Sequence, residues 1–229
     1  MKRSIRGFTL VELNLAMVFV AILVVGVAAT TISVTKINQR GIMLKTINQT
    51  GREVVDQLRR DIAAARTDQV QFVSPVGGVG RLCLGSVSYV FNTAEALHSS
   101  PGTLIRDTTQ AGSPAITLVR MDDKDGVWCA QSGGVFTKNQ VVATDAPIEL
   151  LQTDLLPVAV HEMDVRSLAQ TVDGNTAQGL IMITLLLGTN EANTIETSGA
   201  CKPPTDHQAD FDNCAVREFR TVVRSSGVN

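Results

Sequence analysis

The chain has 229 residues, 44% of them hydrophobic, and carries 20 basic and 22 acidic side chains for a net charge of −2. That length holds one membrane helix and a single soluble domain of roughly 150 to 165 residues, and two full domains beside such a helix would be a tight fit. The well-mixed charge excludes a broad electrostatic footprint for nucleic acid or for an anionic membrane surface.

The first segment, Met1 to Gly7, is a basic leader with Lys2, Arg3 and Arg6, after which the chain turns apolar from Phe8 to Ala29. Positive charge beside an apolar span keeps the leader in the cytoplasm and sends the other end outward. Leu15 to Ala29 contains no polar side chain, and about 22 apolar residues suffice to cross a hydrocarbon core of about 30 Å as a helix. A secretory signal peptide places a small-residue cleavage site after a shorter apolar run. Here the small residue, Gly7, precedes the run.

Glu12 is the anomaly within this span, because a carboxylate in a membrane helix costs about 2.5 to 3.5 kcal/mol and calls for a partner. Cleavage between Gly7 and Phe8 would expose an α-amine about one helical turn before Glu12. In an assembled bundle, that amine on one subunit can pair with Glu12 on its neighbour and fix the axial register. The contiguous stretch Gly7-Phe8-Thr9-Leu10-Val11-Glu12-Leu13 closely resembles the processing and methylation motif of type IV pilins. The resemblance implies that a prepilin peptidase cuts after Gly7, that Phe8 becomes the N-methylated first residue, and that Glu12 is the acidic residue of subunit docking. A plain signal anchor with a stray glutamate is the competing reading.

Beyond the span, Ile37, Leu44, Ile47, Val54, Leu58, Ile62 and Ala65 recur at the spacing of an amphipathic helix face. With no proline before Pro75, one helix of ~58 residues and ~87 Å is expected, with Gly26, Gly41 and Gly51 as points of bending. Its first part, residues 8–34, is the membrane and assembly helix, and residues 35–66 are its amphipathic continuation. Residues 67–229 then form a β-rich domain. Gly, Pro and Ser punctuation separates runs that read as strands: Leu82 to Phe91, Ala115 to Met121, Ile148 to Leu151, Met163 to Leu168, Gly179 to Leu187 and Phe219 to Val223. The fold class is therefore α+β, a long N-terminal helix packed on an antiparallel sheet domain. Gly51 to Ile62 further resembles the helix of the larger minor pilins and J-type pseudopilins, in which an Arg-Asp pair follows a leucine. Phe219 to Arg224 is similar to their last strand, with Ser225 where those proteins often carry Asn.

Cys83, Cys129, Cys201 and Cys214 all lie downstream of the apolar span, and an even count outside the membrane suits an oxidising compartment. None of the pairs has the C-x-x-C spacing of a zinc knuckle or redox motif. Three pairings are open to four cysteines. The preferred one joins Cys201 to Cys214 around a polar loop, resembling the C-terminal disulfide-bounded loop of many pilins, and then Cys83 to Cys129.

The remaining polar motifs have bland readings. Asp122-Asp123-Lys124-Asp125-Gly126 lacks the first Asp and final Glu of a calcium loop and reads as a polar turn, and Asp206, Asp210 and Asp212 read as a solvated loop. Gly77-Gly78-Val79-Gly80 has no helix N-terminus to offer a phosphate. His161-Glu162 reads as a polar pair at a strand start, and with His98 and His207 the only other histidines no catalytic constellation is formed. No enzyme, metal or cofactor is expected.

The resemblance implies a structural subunit, a minor pilin or pseudopilin of a type IV pilus, a competence pilus or a type II secretion pseudopilus. Its partners would be other subunits, the prepilin peptidase, an inner-membrane assembly platform and, before assembly, membrane lipid. Nothing in the sequence calls for nucleic acid. Expected localisation is a single pass of the cytoplasmic membrane with the C-terminal domain outside the cytoplasm, and then a periplasmic or extracellular filament. The alternatives are a major pilin, or a membrane-anchored adhesin or ligand-binding ectodomain.

Overall fold

A computed structural model describes residues 9–99, 104–151, 157–168, 171–172, 175–176, 179–190, 195–196, 200–203, 205 and 214–226. The chain divides into two units, Met1–Ile42 and Met43–Asn229. Helix α1, Leu10–Ala64, belongs to both. In the first unit its apolar side chains are exposed, Leu10 at 76% and Phe19 at 66%.

In the second unit, Met43, Ile47, Val54, Leu58 and Ile62 of α1 are buried, a face with the helical period. This differs from the expected stripe at its start. Leu44 is 39% exposed and Ile37 74% exposed, because Met43, one residue and about 100° away from Leu44 around the helix, is the side chain in line with Ile47.

After α1 come β1 (Val70–Val76), β2 (Val79–Leu84), β3 (Val87–Asn92), the short helix α2 (Ala94–Ser99), β4 (Arg106–Asp107) and β5 (Leu118–Asp122). Two-residue strands follow: β6 (Gln131–Ser132), β7 (Val135–Phe136), β8 (Gln140–Val141) and β9 (Ile148–Glu149). The last stretch holds β10 (Val158–Ser167), β11 (Thr171–Val172), β12 (Asn175–Thr176), β13 (Leu180–Thr189) and β14 (Val216–Arg224). One antiparallel sheet has the order β1-β2-β3-β5-β9 and another the order β10-β13-β14. Together these elements make an α+β chain with one long apolar N-terminal helix and antiparallel sheets.

The expected single strand Leu82 to Phe91 is instead two. Gly85 turns the chain at φ +83°, and Cys83 pairs back onto Ser88. The apolar character on either side of the turn has one cause: β2 and β3 are buried on both faces. Leu82, Leu84, Tyr89 and Phe91 join Leu58, Ile62, Ile183 and Leu185 in one core, while Cys83 and Val90 join Val119, Met121, Trp128 and Val141 in a second. Fully burying each such aliphatic or aromatic side chain contributes about 1.5 to 3 kcal/mol. Strand β1 was not expected, because Pro75 breaks the apolar run; the strand lies at the sheet edge, where a missing N–H is tolerated. Gly77 and Gly78, at φ +62° and +86°, close the β1–β2 hairpin, a conformation that glycine adopts without strain.

The second core is roofed by residues between β3 and β9. Buried Asn92 holds this layer by donating to the carbonyls of Ile105 and Ile116 and accepting from the Ile105 N–H. Arg81, 2% exposed, donates to the Trp128 and Lys138 carbonyls at 2.6 and 2.8 Å and to Asn139 at 2.7 Å, with the Phe136 ring 3.9 Å from its guanidinium. Burial lowers its pKa to about 10, so it stays cationic at neutral pH. Disulfides join Cys83 to Cys129 and Cys201 to Cys214.

Candidate functional site

Gly7 and Phe8 lie outside the described residues, and the site begins at Thr9. The Thr9 backbone N–H and hydroxyl both donate to Glu12 Oε2 at 2.9 Å, and the Glu12 N–H donates to Thr9 Oγ1 at 3.2 Å. This is a capping box, in which two residues three apart satisfy each other's free donors at a helix start. The Thr-x-x-Glu spacing of a capping box is present in the sequence at Thr9 and Glu12. Glu12 therefore closes the first turn of its own helix before any question of a partner arises.

Among the described residues, α1 is the one helix long and apolar enough to cross a membrane, by length and composition. Hydroxyl side chains near the end of the apolar run are satisfied within the helix. Thr30 donates to the Val27 carbonyl at 2.8 Å, Thr31 also to Val27 at 2.8 Å, Ser33 to Ala29 at 3.1 Å and Thr35 to Thr31 at 2.9 Å. Bonds of this kind spare a hydroxyl the cost of entering hydrocarbon unpaired.

Within the Met43–Asn229 unit, a polar clamp fastens α1 to the five-stranded sheet. Asp61 of α1 accepts from Arg120 Nε of β5 at 2.7 Å, from the Tyr89 hydroxyl of β3, and from Gln57 one turn earlier. The Arg120 and Asp61 side chains are 19% and 13% exposed. Burial alone raises the Asp61 pKa, but the bonds from Arg120, Tyr89 and Gln57 outweigh it and hold the carboxyl below the ordinary range. Burial and the Asp61 charge push the Tyr89 hydroxyl up, so it remains a donor. Asp61 is the acidic member of the Arg-Asp pair noted after Leu58, whereas its partners were not legible, since Tyr89 and Arg120 lie 28 and 59 positions away.

This clamp has a pH signature. A carboxyl whose pKa is lowered on folding adds stability that is complete above its unfolded value of about 3.9 and is lost as pH falls through the folded value. Asp61→Asn is expected to cost about 2 kcal/mol at pH 7, the scale of a charged hydrogen bond. The gap to the wild type should begin to narrow below about pH 4 and close as pH falls through the lower folded value. Urea titration followed by the fluorescence of Trp128, the one tryptophan, measures both values; an equal gap at pH 7 and pH 3 would refute the ionic role.

The other polar motifs are built into the scaffold. In the acidic turn, Asp123 is 3% exposed and accepts from the Ser88 hydroxyl and from the Val127 and Trp128 N–H groups. His161 is the extra residue of a bulge in β10, between the pairs Val160 to Leu187 and Glu162 to Leu186, with its Nε2 3.2 Å from the Thr189 carbonyl. Burial lowers its pKa. Asp206, His207, Asp210 and Asp212 lie outside the described residues.

No family model, curated protein or solved structure matches the chain. The architecture, a long apolar N-terminal helix and a disulfide-bonded antiparallel β domain, is consistent with that of pilins.

Proposed function

We propose that the chain is a structural subunit of a pilus or pseudopilus, made with a leader that is cut after Gly7 and assembled through α1. The observation that carries this reading is the sequence Gly7 to Leu13 running into the first turn of an exposed apolar helix that leads into a β domain. In this reading Phe8 carries the N-methylated amine, and that amine pairs with Glu12 of the adjacent subunit in the filament. The exposed apolar residues of α1 face lipid before assembly and neighbouring helices afterwards. The chain supplies no catalysis, and filament growth depends on a separate assembly platform. A minor subunit is favoured over a major one by the likeness of Gly51 to Ile62 to the helix of the larger minor pilins.

Mass analysis of the N-terminus of protein purified from its own cells tests this proposal. A mature chain beginning at N-methylated Phe8 is the expected result. An intact Met1, or a cut elsewhere, would reduce the protein to a signal-anchored ectodomain.

A further inference from the structure

Two grooves run along α1 in the Met43–Asn229 unit, of about 420 and 600 Å³, and meet at Asp56, which lines both. One wall is the helix and the other is β14. Lys45, Arg52, Arg59, Arg60, Arg217 and Arg224 line them against the acidic Glu53 and Asp56. Six basic groups against two acidic ones leave a surplus of four positive charges, in a chain whose net charge is −2.

Strand β14 pairs with β13 along its length from Val216 to Arg224. Among the described residues no strand pairs with its other side from Val216 to Arg224, and just beyond it Ser226 bonds to the Ala65 carbonyl and the Thr67 N–H, which closes that end of the edge. An open strand edge offers a row of backbone donors and acceptors to any extended chain that can reach it. A helix beside such an edge forms the kind of trough in which some peptide-recognition domains add a ligand strand. The dimensions agree: Lys45 to Ala63 spans about 27 Å of helix, and Arg217 to Arg224 about 24 Å of strand, enough for seven or eight extended residues. Val222, 49% exposed, lines the trough and offers an apolar contact.

Edge charges also guard strands against unwanted pairing, and the sign of these charges selects the occupant. Exposed Arg217, Arg220 and Arg224 outnumber Glu218 on β14, so a second copy of the same edge would bring like charges together, which is destabilising. An acidic strand would meet the arginines of both walls.

We propose that the α1–β14 trough binds an extended acidic segment of a partner protein as an added strand on β14. This goes beyond the filament reading and does not depend on it, because a tethered receptor domain could use the trough equally.

The test uses the full chain in detergent micelles and a fluorescein-labelled octapeptide of alternating Glu and Val. Fluorescence anisotropy should show saturable binding, at least tenfold weaker for the Lys-Val peptide and for a Glu-Val peptide N-methylated at its four central residues. Arg59→Glu combined with Arg224→Glu should weaken binding at least tenfold with Trp128 fluorescence unchanged, and amide exchange in β14 should slow when the peptide binds. Equal binding by the N-methylated peptide, unchanged β14 exchange, or no binding of the Glu-Val peptide would overturn the proposal. Tighter binding of a DNA duplex than of the acidic peptide would overturn it in favour of a polyanion surface.

Discussion

Glu12→Ala is expected to yield a chain that is processed normally and fails to enter filaments. The substitution removes two things at once: the carboxylate proposed to meet a neighbour's α-amine, and the acceptor of the Thr9 capping bonds. Glu12→Gln separates them, because glutamine at the third helical position can complete a capping box but carries no charge. If inter-subunit charge pairing is the role of Glu12, both variants are excluded from sheared filaments while remaining in the membrane fraction. If helix capping is its whole role, the glutamine variant assembles and only the alanine variant fails. Recovery of the alanine variant in filaments at wild-type levels would remove Glu12 from assembly altogether.

The second large effect is expected in the globular unit. Replacing Cys83 and Cys129 together by alanine opens a loop closed across 46 positions, which on the chain-entropy view costs about 4 kcal/mol. The corresponding figure for Cys201 and Cys214, 13 positions apart, is about 3 kcal/mol. Cys83 and Cys129 also sit in the second core beside Trp128, so the substitution loosens packing as well as connectivity. A small domain has only about 5 to 15 kcal/mol in total, and the urea midpoint from Trp128 fluorescence should fall steeply. A midpoint that is unchanged in the double variant would show that the layer between β3 and β9 is held by Asn92 and Arg81 without the covalent link.

The α+β class and the apolar N-terminal helix were legible in the sequence because both rest on periodicity over long runs. The sheet arrangement was not. Leu82 to Phe91 read as one strand, since a strand buried on one face alternates, whereas one buried on both is continuously apolar and hides its turn. The Gly85-Ser86 pair, with Gly85 at positive φ, marks the break. The start of the buried helix face was misplaced because Met43 and Leu44 are equally apolar, and the choice between them depends on what faces the helix. The partners of Asp61 were beyond reach for a related reason: no local pattern links a helix carboxylate to Tyr89 and Arg120 on separate strands. At the candidate site, Thr9 and Glu12 carry a capping geometry that the Thr-x-x-Glu spacing made legible, while Gly7 and Phe8 lie outside the described residues.

Strands β2 and β3 lie between two cores, so each of their faces answers to a different set of neighbours. A substitution there must suit one packed layer without disturbing the next residue's fit into the other, and divergence among descendants of this sequence should therefore be slow along both strands. The tip of the β6–β7 hairpin, exposed at Gly133, Gly134 and Val135, is bound by fewer such demands, although Phe136 just beyond it packs on Arg81. Drift and insertion are expected to accumulate at that tip.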